Sequence, residues 1–195
     1  MLAKGHHFPD VTLVVVLDAD AGLFSADFRG MEHSAQLILQ VAGRAGRAEM
    51  PGEVWIQTLY ADHPQLNLLL DHGYHALALS LLQERQQRQL PPYSHLALLR
   101  AESEHRQQAE QLLTSVRQHI QRWQAQHSEV RVSLVGPFAA IMERRAGRFR
   151  QQLQLHAADR QALHQVLHQL QYFLQQQSLP RSVRWHLDID PIDTL

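Results

Sequence analysis

The residues best placed to do chemistry in this chain are arginines. The octet Gln40-Val41-Ala42-Gly43-Arg44-Ala45-Gly46-Arg47 sets two of them three residues apart, each preceded by glycine. Residues at that spacing share a face on a helical or near-helical path. Two planar guanidinium forks can then converge on one anion such as a phosphate. The glycines remove side chains beside each fork, so a large ligand can approach the backbone closely. An arginine presented this way stabilises charge building on a transferred phosphoryl group. A second group, Arg144, Arg145, Arg148 and Arg150, puts four cations in one short stretch. At a hairpin tip that density suits a clamp on a phosphate backbone. Glu143 beside it leaves open the plainer reading of a partly neutralised, solvated turn.

Three other constellations carry less. An apolar run over residues 11–17 ends in Asp18-Ala19-Asp20, which invites a magnesium-holding role for Asp18 or Asp20. That role needs a Gly-x-x-x-x-Gly-Lys-Ser/Thr phosphate loop. The nine glycines, at 5, 22, 30, 43, 46, 52, 73, 136 and 147, form none. A buried strand with a polar end is expected instead. His164 and His168 stand i, i+4 on one helix but lack a third ligand nearby, so a solvated helix face is expected. Asp188 and Asp190 point to one side of a strand and are expected to pair with Arg184 or the hairpin arginines.

These residues need elements to position them. Residues 11–17 are apolar without alternation, the pattern of a strand buried on both faces of a parallel sheet. A periodic helix over 32–42 leads into the octet, and residues 53–59 read as a second strand. Strand, helix, strand is a βαβ unit at the edge of an α/β sheet. Residues 62–73 and 74–89 read as two helices, stopped by Leu90-Pro91-Pro92 and connecting two domains. From residue 96 the periods run β-α-β-β-α-β. Strands are expected at 96–101, 130–135, 149–156 and 183–189. Helices are expected at 104–126 and from Asp159 to about residue 177. Gly136-Pro137 is expected to break the second strand. The order fits a ferredoxin-like split βαβ sandwich. The division expected is 1–60, 61–93 and 94–195.

Composition narrows the class. The chain has 195 residues, a formal net charge of −1, fourteen histidines and no cysteine. Disulfides and thiolate metal sites are excluded. A charge near zero gives no global steering toward a polyanion, so any nucleic-acid contact must come from a local patch. No apolar run approaches the ~18 residues of a membrane span, and the start lacks signal-peptide architecture. A soluble cytoplasmic protein without membrane contacts is expected.

The octet behind its apolar helix resembles motif VI of superfamily-two helicases, which lies on the second RecA-like lobe. Lys4-Gly5-His6-His7-Phe8-Pro9-Asp10-Val11, ahead of the strand, resembles motif V of one family, the primosomal protein N′ or PriA-type replication-restart helicases. The aspartates after the strand and the Leu-Pro-Pro-Tyr run at 90–93 extend the likeness. So do Gly136-Pro137, the Arg-Arg-x-Gly-Arg-x-Arg turn and the ending Asp188-Ile189-Asp190-Pro191. It covers nearly the whole chain, most thinly over 61–90.

The resemblance implies an α/β chain with part of a second RecA-like lobe at 1–60, then a ferredoxin-like C-terminal domain at 94–195. It implies an ATP-dependent DNA helicase of 3′→5′ polarity that restarts stalled forks and assembles the primosome. ATP and magnesium would serve the full-length protein. The phosphate loop, the acidic magnesium motif and the zinc-binding cysteines would lie outside this chain, so none of these ligands is expected on it alone. Arg44 and Arg47, with Gln40, would form the arginine-finger side of the ATP site. Lys4 and Gly5 would contact the DNA backbone, as would Arg144, Arg145, Arg148 and Arg150. Arg160, at a helix N-terminus, would meet the acidic tail of single-stranded DNA-binding protein. Forked, branched or single-stranded DNA and other primosome proteins complete the implied partners. The chain would correspond to the C-terminal quarter to third of such a helicase, through truncation, a misassigned start or deliberate cutting. The alternative is a stand-alone nucleic-acid- or protein-binding module without catalysis.

Overall fold

The computed structural model describes residues 11–43, 45 and 52–194. Its contacts divide the chain into two compact units, Met1–Glu84 and Arg85–Leu195.

In the first unit β1 (Leu13–Val16) pairs in parallel with β2 (Glu53–Ile56), Leu13 opposite Glu53 and Val16 opposite Ile56. Between them lie the single turn α1 (Asp20–Leu23) and α2 (Gly30–Ala42). The helical period of α2 turns Met31, Ala35 and Ile38 inward, against Leu69, Leu77 and Leu81 of α3 (Pro64–Gln87). The two helices expected over 62–89 are both present and meet at Gly73 (φ 78°, ψ −178°), whose backbone is not helical. Most of their length belongs to this unit's core. The expectation of a strand buried on both faces is corrected. Val14 is buried, but Leu13 and Val15 are 45% and 47% exposed and Trp55, opposite Val15, is 60% exposed. The helices cover one face of a two-stranded sheet, and among the described residues the other stays open.

The second unit contains β3 (His95–Ser103), α4 (Arg106–Gln126), β4 (Ser133–Arg145), β5 (Arg148–Ala157), α5 (Arg160–Gln175) and β6 (Arg184–Ile189). The strands form one antiparallel sheet in the order β4-β5-β3-β6. Alternation decides which side chains meet the helices. Ala97, Leu99 and Ala101 of β3 and Leu153 and Leu155 of β5 pack with Leu113, Val116 and Ile120 of α4 and Val166 and Leu170 of α5. All ten are at most 1% exposed, and each such leucine is worth about 1.5–3 kcal/mol on burial. Asp159 caps α5, its carboxylate accepting from the Ala162 amide at 2.8 Å.

Gly136-Pro137 does not end its strand, as expected from sequence, but bends it. β4 runs on through register shifts between Val135 and Phe138 and between Ala139 and Arg144. Gly136 sits at φ 112°, where a Cβ would lie 2.7 Å from the Gln152 carbonyl oxygen. Arg117 of α4 donates to the freed Gly136 carbonyl. A bulge absorbs the irregularity, so the hairpin extends to its tip at Ala146-Gly147, with φ 49° and 80° as a two-residue turn requires.

Candidate nucleic-acid interface

The four hairpin arginines separate by role. Arg144 and Arg145 end β4 and are exposed. The Arg144 guanidinium stands 5.1 Å from the Phe149 ring centroid, a cation–π contact. The Arg145 side chain has no partner among the described residues. Arg148 is different: its side chain is only 16% exposed. Its Nη1 donates to the Ser182 carbonyl at 2.6 Å and its Nη2 lies 3.5 Å from Glu104 Oε1. It ties the hairpin to the approach to β6 and to the end of β3. Glu143 pairs with Arg106 of α4 at 3.2 Å, so its charge does not cancel those at the tip. Arg150 lies further down β5, opposite Glu102.

Arg150 therefore joins another group, on the sheet face that carries no helix. Register places Arg150, Glu102 and Arg184 in one cross-strand row and Gln152, Arg100 and His186 in the next. These residues line a recess of about 320 Å³. Arg100 donates to Asp188 Oδ2 at 2.9 Å and to the Asp193 carbonyl at 2.7 Å. Asp188 thus pairs with Arg100 and not, as expected, with Arg184 or the hairpin. Arg100 is its diagonal neighbour across the β3–β6 ladder, whereas Arg184 stands four residues along the same strand, roughly 13 Å away. Asp190 lies past β6 with φ 53°, and its amide donates to the Leu96 carbonyl at 2.9 Å. Burial lowers the pKa of His156, also on this face, and so favours its neutral form.

The remaining site residues are dispersed. Gln40 is exposed in the last turn of α2. Lys4, Gly5, Arg44 and Arg47 lie outside the described residues. Arg160 is the exposed first residue of α5, next to the capping Asp159. His164 and His168 are exposed on that helix, and no metal-holding group of three ligands occurs among the described residues. Asp20 accepts from the Thr58 hydroxyl and from the Leu59 amide at 3.0 Å, tying the end of β1 to the end of β2. Its carboxylate is engaged in holding that sheet together. The sequence reading missed the recess. The available signal was polar residues two apart on three strands: Arg100 and Glu102, Arg150 and Gln152, Arg184 and His186.

The fold and site define a mixed α/β protein whose second unit bears arginines on a hairpin tip and on a helix-free sheet face. Residues 86–192 match the family model for the primosomal protein N C-terminal domain, and the chain belongs to that family. It is 44% identical over 195 residues to the replication restart protein PriA of Haemophilus influenzae, covering 99% of this chain and 26% of that protein. The same protein of Synechocystis is 34% identical over 192 residues, covering 98% and 22%. That of Bacillus subtilis is 32% identical over 191 residues, covering 98% and 23%. The chain therefore spans about a quarter of the length of these relatives. Among the described residues no helix is long and apolar enough to cross a membrane.

Proposed function

We propose that this chain is the C-terminal portion of an ATP-dependent 3′→5′ replication-restart DNA helicase, acting in the cytoplasm. Its part is to supply motifs V and VI and to hold DNA at the hairpin tip. The observation that carries this is the 44% identity to a replication restart protein across 99% of the chain. The order β4-β5-β3-β6 with two helices on one face supports a ferredoxin-like second unit. The parallel β1–β2 pair around α2 supports a piece of a RecA-like lobe in the first. Arg44 and Arg47, following Gln40, keep the arginine-finger role and Lys4-Gly5 the DNA-backbone role. The exposed Arg160 supports contact with the acidic tail of single-stranded DNA-binding protein. Primosome proteins remain the further partners.

The residues present do not fit ATP with magnesium on their own. The sequence holds no phosphate loop, and Asp20 is engaged by Thr58 and Leu59. No catalytic step is therefore assigned to this chain alone. The test is to titrate the purified chain with a forked duplex across a salt series and to assay ATP hydrolysis with and without that DNA. Salt-dependent binding without turnover is expected. Absence of binding at low salt, or DNA-stimulated hydrolysis, would overturn this assignment.

A further inference from the structure

The hairpin presents apolar side chains as well as charge. β4 is an edge strand of its sheet, and it passes from Ala139 to Arg144 while β5 passes only from Gln151 to Phe149. The surplus chain, residues 140–143, is out of register with its partner and bulges. Both of its ends are held. Ala140 is 4% exposed, and Glu143 pairs with Arg106 of α4 at 3.2 Å. Between them Ile141 is 69% exposed and Met142 57%. Single apolar residues on a surface are ordinary. Two adjacent ones, raised on a bulge whose ends are fixed, form an apolar projection. Arg144 and Arg145 follow Met142 by two and three residues, at most about 10 Å along the chain.

An apolar projection flanked by cations narrows what it can meet. Single-stranded DNA is gripped by aromatic faces on which its bases stack. Here the exposed residues are aliphatic, and the neighbouring Phe149 ring faces the Arg144 guanidinium. Aliphatic side chains act on DNA in another way. Isoleucine and methionine enter between base pairs from the minor groove, part the stack and kink the duplex, while arginines hold the bordering phosphates. A two-stranded ribbon is one of the elements that reaches into a groove. A protein cleft ringed by carboxylates would match the same surface, but the nucleic-acid reading of this hairpin favours DNA. We propose that Ile141 and Met142 enter a base step of double-stranded DNA from the minor groove and bend it, with Arg144 and Arg145 on the bordering phosphates. This rests on the reading of the hairpin given above and deepens it, from a grip on the backbone to a wedge in the stack.

The test measures the shape of a bound duplex. A short duplex with a fluorescent donor at one end and an acceptor at the other is saturated with the 195-residue chain at low salt. A kink of roughly 60° is expected, which shortens the end-to-end distance by about a tenth and raises energy transfer. Ile141→Ala combined with Met142→Ala should bind the duplex with an unchanged log–log salt slope but leave it straight. Arg144→Ala combined with Arg145→Ala should instead lower that slope by about 1.8. Truncating exposed side chains spares the core, and melting curves check that each variant is folded. A duplex that the unaltered chain binds but leaves straight overturns the wedge, and that measurement needs no variant to fold. A folded Ile141/Met142 double variant that bends the duplex as the unaltered chain does also overturns it. A glutamate-rich peptide held through Ile141 and Met142, by a chain that leaves bound duplex straight, would make the partner a protein. Failure to bind either duplex or forked DNA at low salt would sink the nucleic-acid reading itself, and the wedge with it.

Discussion

At the scale of single residues, arginines that look alike in sequence do different work. Arg148 sits in the middle of the basic turn, yet its guanidinium is committed to the Ser182 carbonyl and to Glu104. A charged donor on a carbonyl is worth about 1.5–3 kcal/mol. Arg148→Ala should therefore destabilise the second unit by about 2 kcal/mol, lowering its melting temperature by roughly 10 °C. Arg144 and Arg145 are exposed, and exposed charges contribute little to folding. Changing both to alanine should leave melting in place but flatten the log–log salt slope for forked DNA by about 1.4–1.8. Calorimetry and a salt series on both variants separate the roles. A stable Arg148→Ala protein, or an unchanged slope in the tip variant, contradicts the division. Composition could mark the cluster but could not distribute it, because the partners of Arg148 lie in other strands and turns. Arg150 is in the same position: its sequence neighbours include the hairpin arginines, but across the sheet it stands opposite Glu102.

At the scale of elements, the two long helices of the second unit were readable because their apolar residues recur at 3.6 spacing. Leu112, Leu113, Val116 and Ile120 on α4 are buried as that period requires. The strand after Gly136-Pro137 was not readable. A bulge is fixed by its pairing partner, here the Gln152 carbonyl and the Arg117 guanidinium, and not by local propensity. The helix pair also carries a titration. His119 of α4 stacks on Phe173 of α5, ring centroids 4.4 Å apart, and its Nε2 is buried without a partner. Burial, and secondarily the charge of Arg122, lowers its pKa below 6.5. The unfolded chain therefore takes up this proton first as pH falls. Stability from this group is complete above about 6.5 and is lost as pH drops from there toward the folded-state value. His156 is lowered by burial and acts in the same sense. The second unit should melt at lower temperature at pH 5.5 than at pH 7.5. His119→Gln should reduce that difference, because glutamine does not titrate. Melting curves at the two pH values check it, and an undiminished difference in the folded variant would remove His119 from the effect.

At the scale of the whole molecule, the two units have unequal means of holding themselves together. The second has four strands, a nine-residue β3–β5 register and a core in which Ala97, Leu99, Leu113, Val116, Leu153 and Leu170 are fully buried. Among the described residues the first has two parallel strands of four residues each. Beside them Leu13, Val15, Leu17, Trp55 and Leu59 are 45–88% exposed. The run over 11–17 read as fully buried because an apolar sequence reports affinity for a covering layer, not the presence of one. Two-stranded sheets are marginal without such cover. The helices offset this partly, through Leu69, Leu77 and Leu81 against Met31, Ala35 and Ile38. The β1–β2 ladder is bounded by the Glu53 amide on the Thr12 carbonyl at 2.7 Å and the Gln57 amide on the Val16 carbonyl at 2.9 Å. Those amides should open at low free-energy cost, while those of β3 and β5 open only with their whole unit. Hydrogen exchange followed by mass spectrometry is expected to show β1 and β2 exchanging at least 100-fold faster than β3 and β5. That ratio corresponds to about 2.7 kcal/mol in opening free energy. Equal protection of the two ladders would show that α2 and α3 suffice to stabilise a two-stranded sheet with its second apolar face in water.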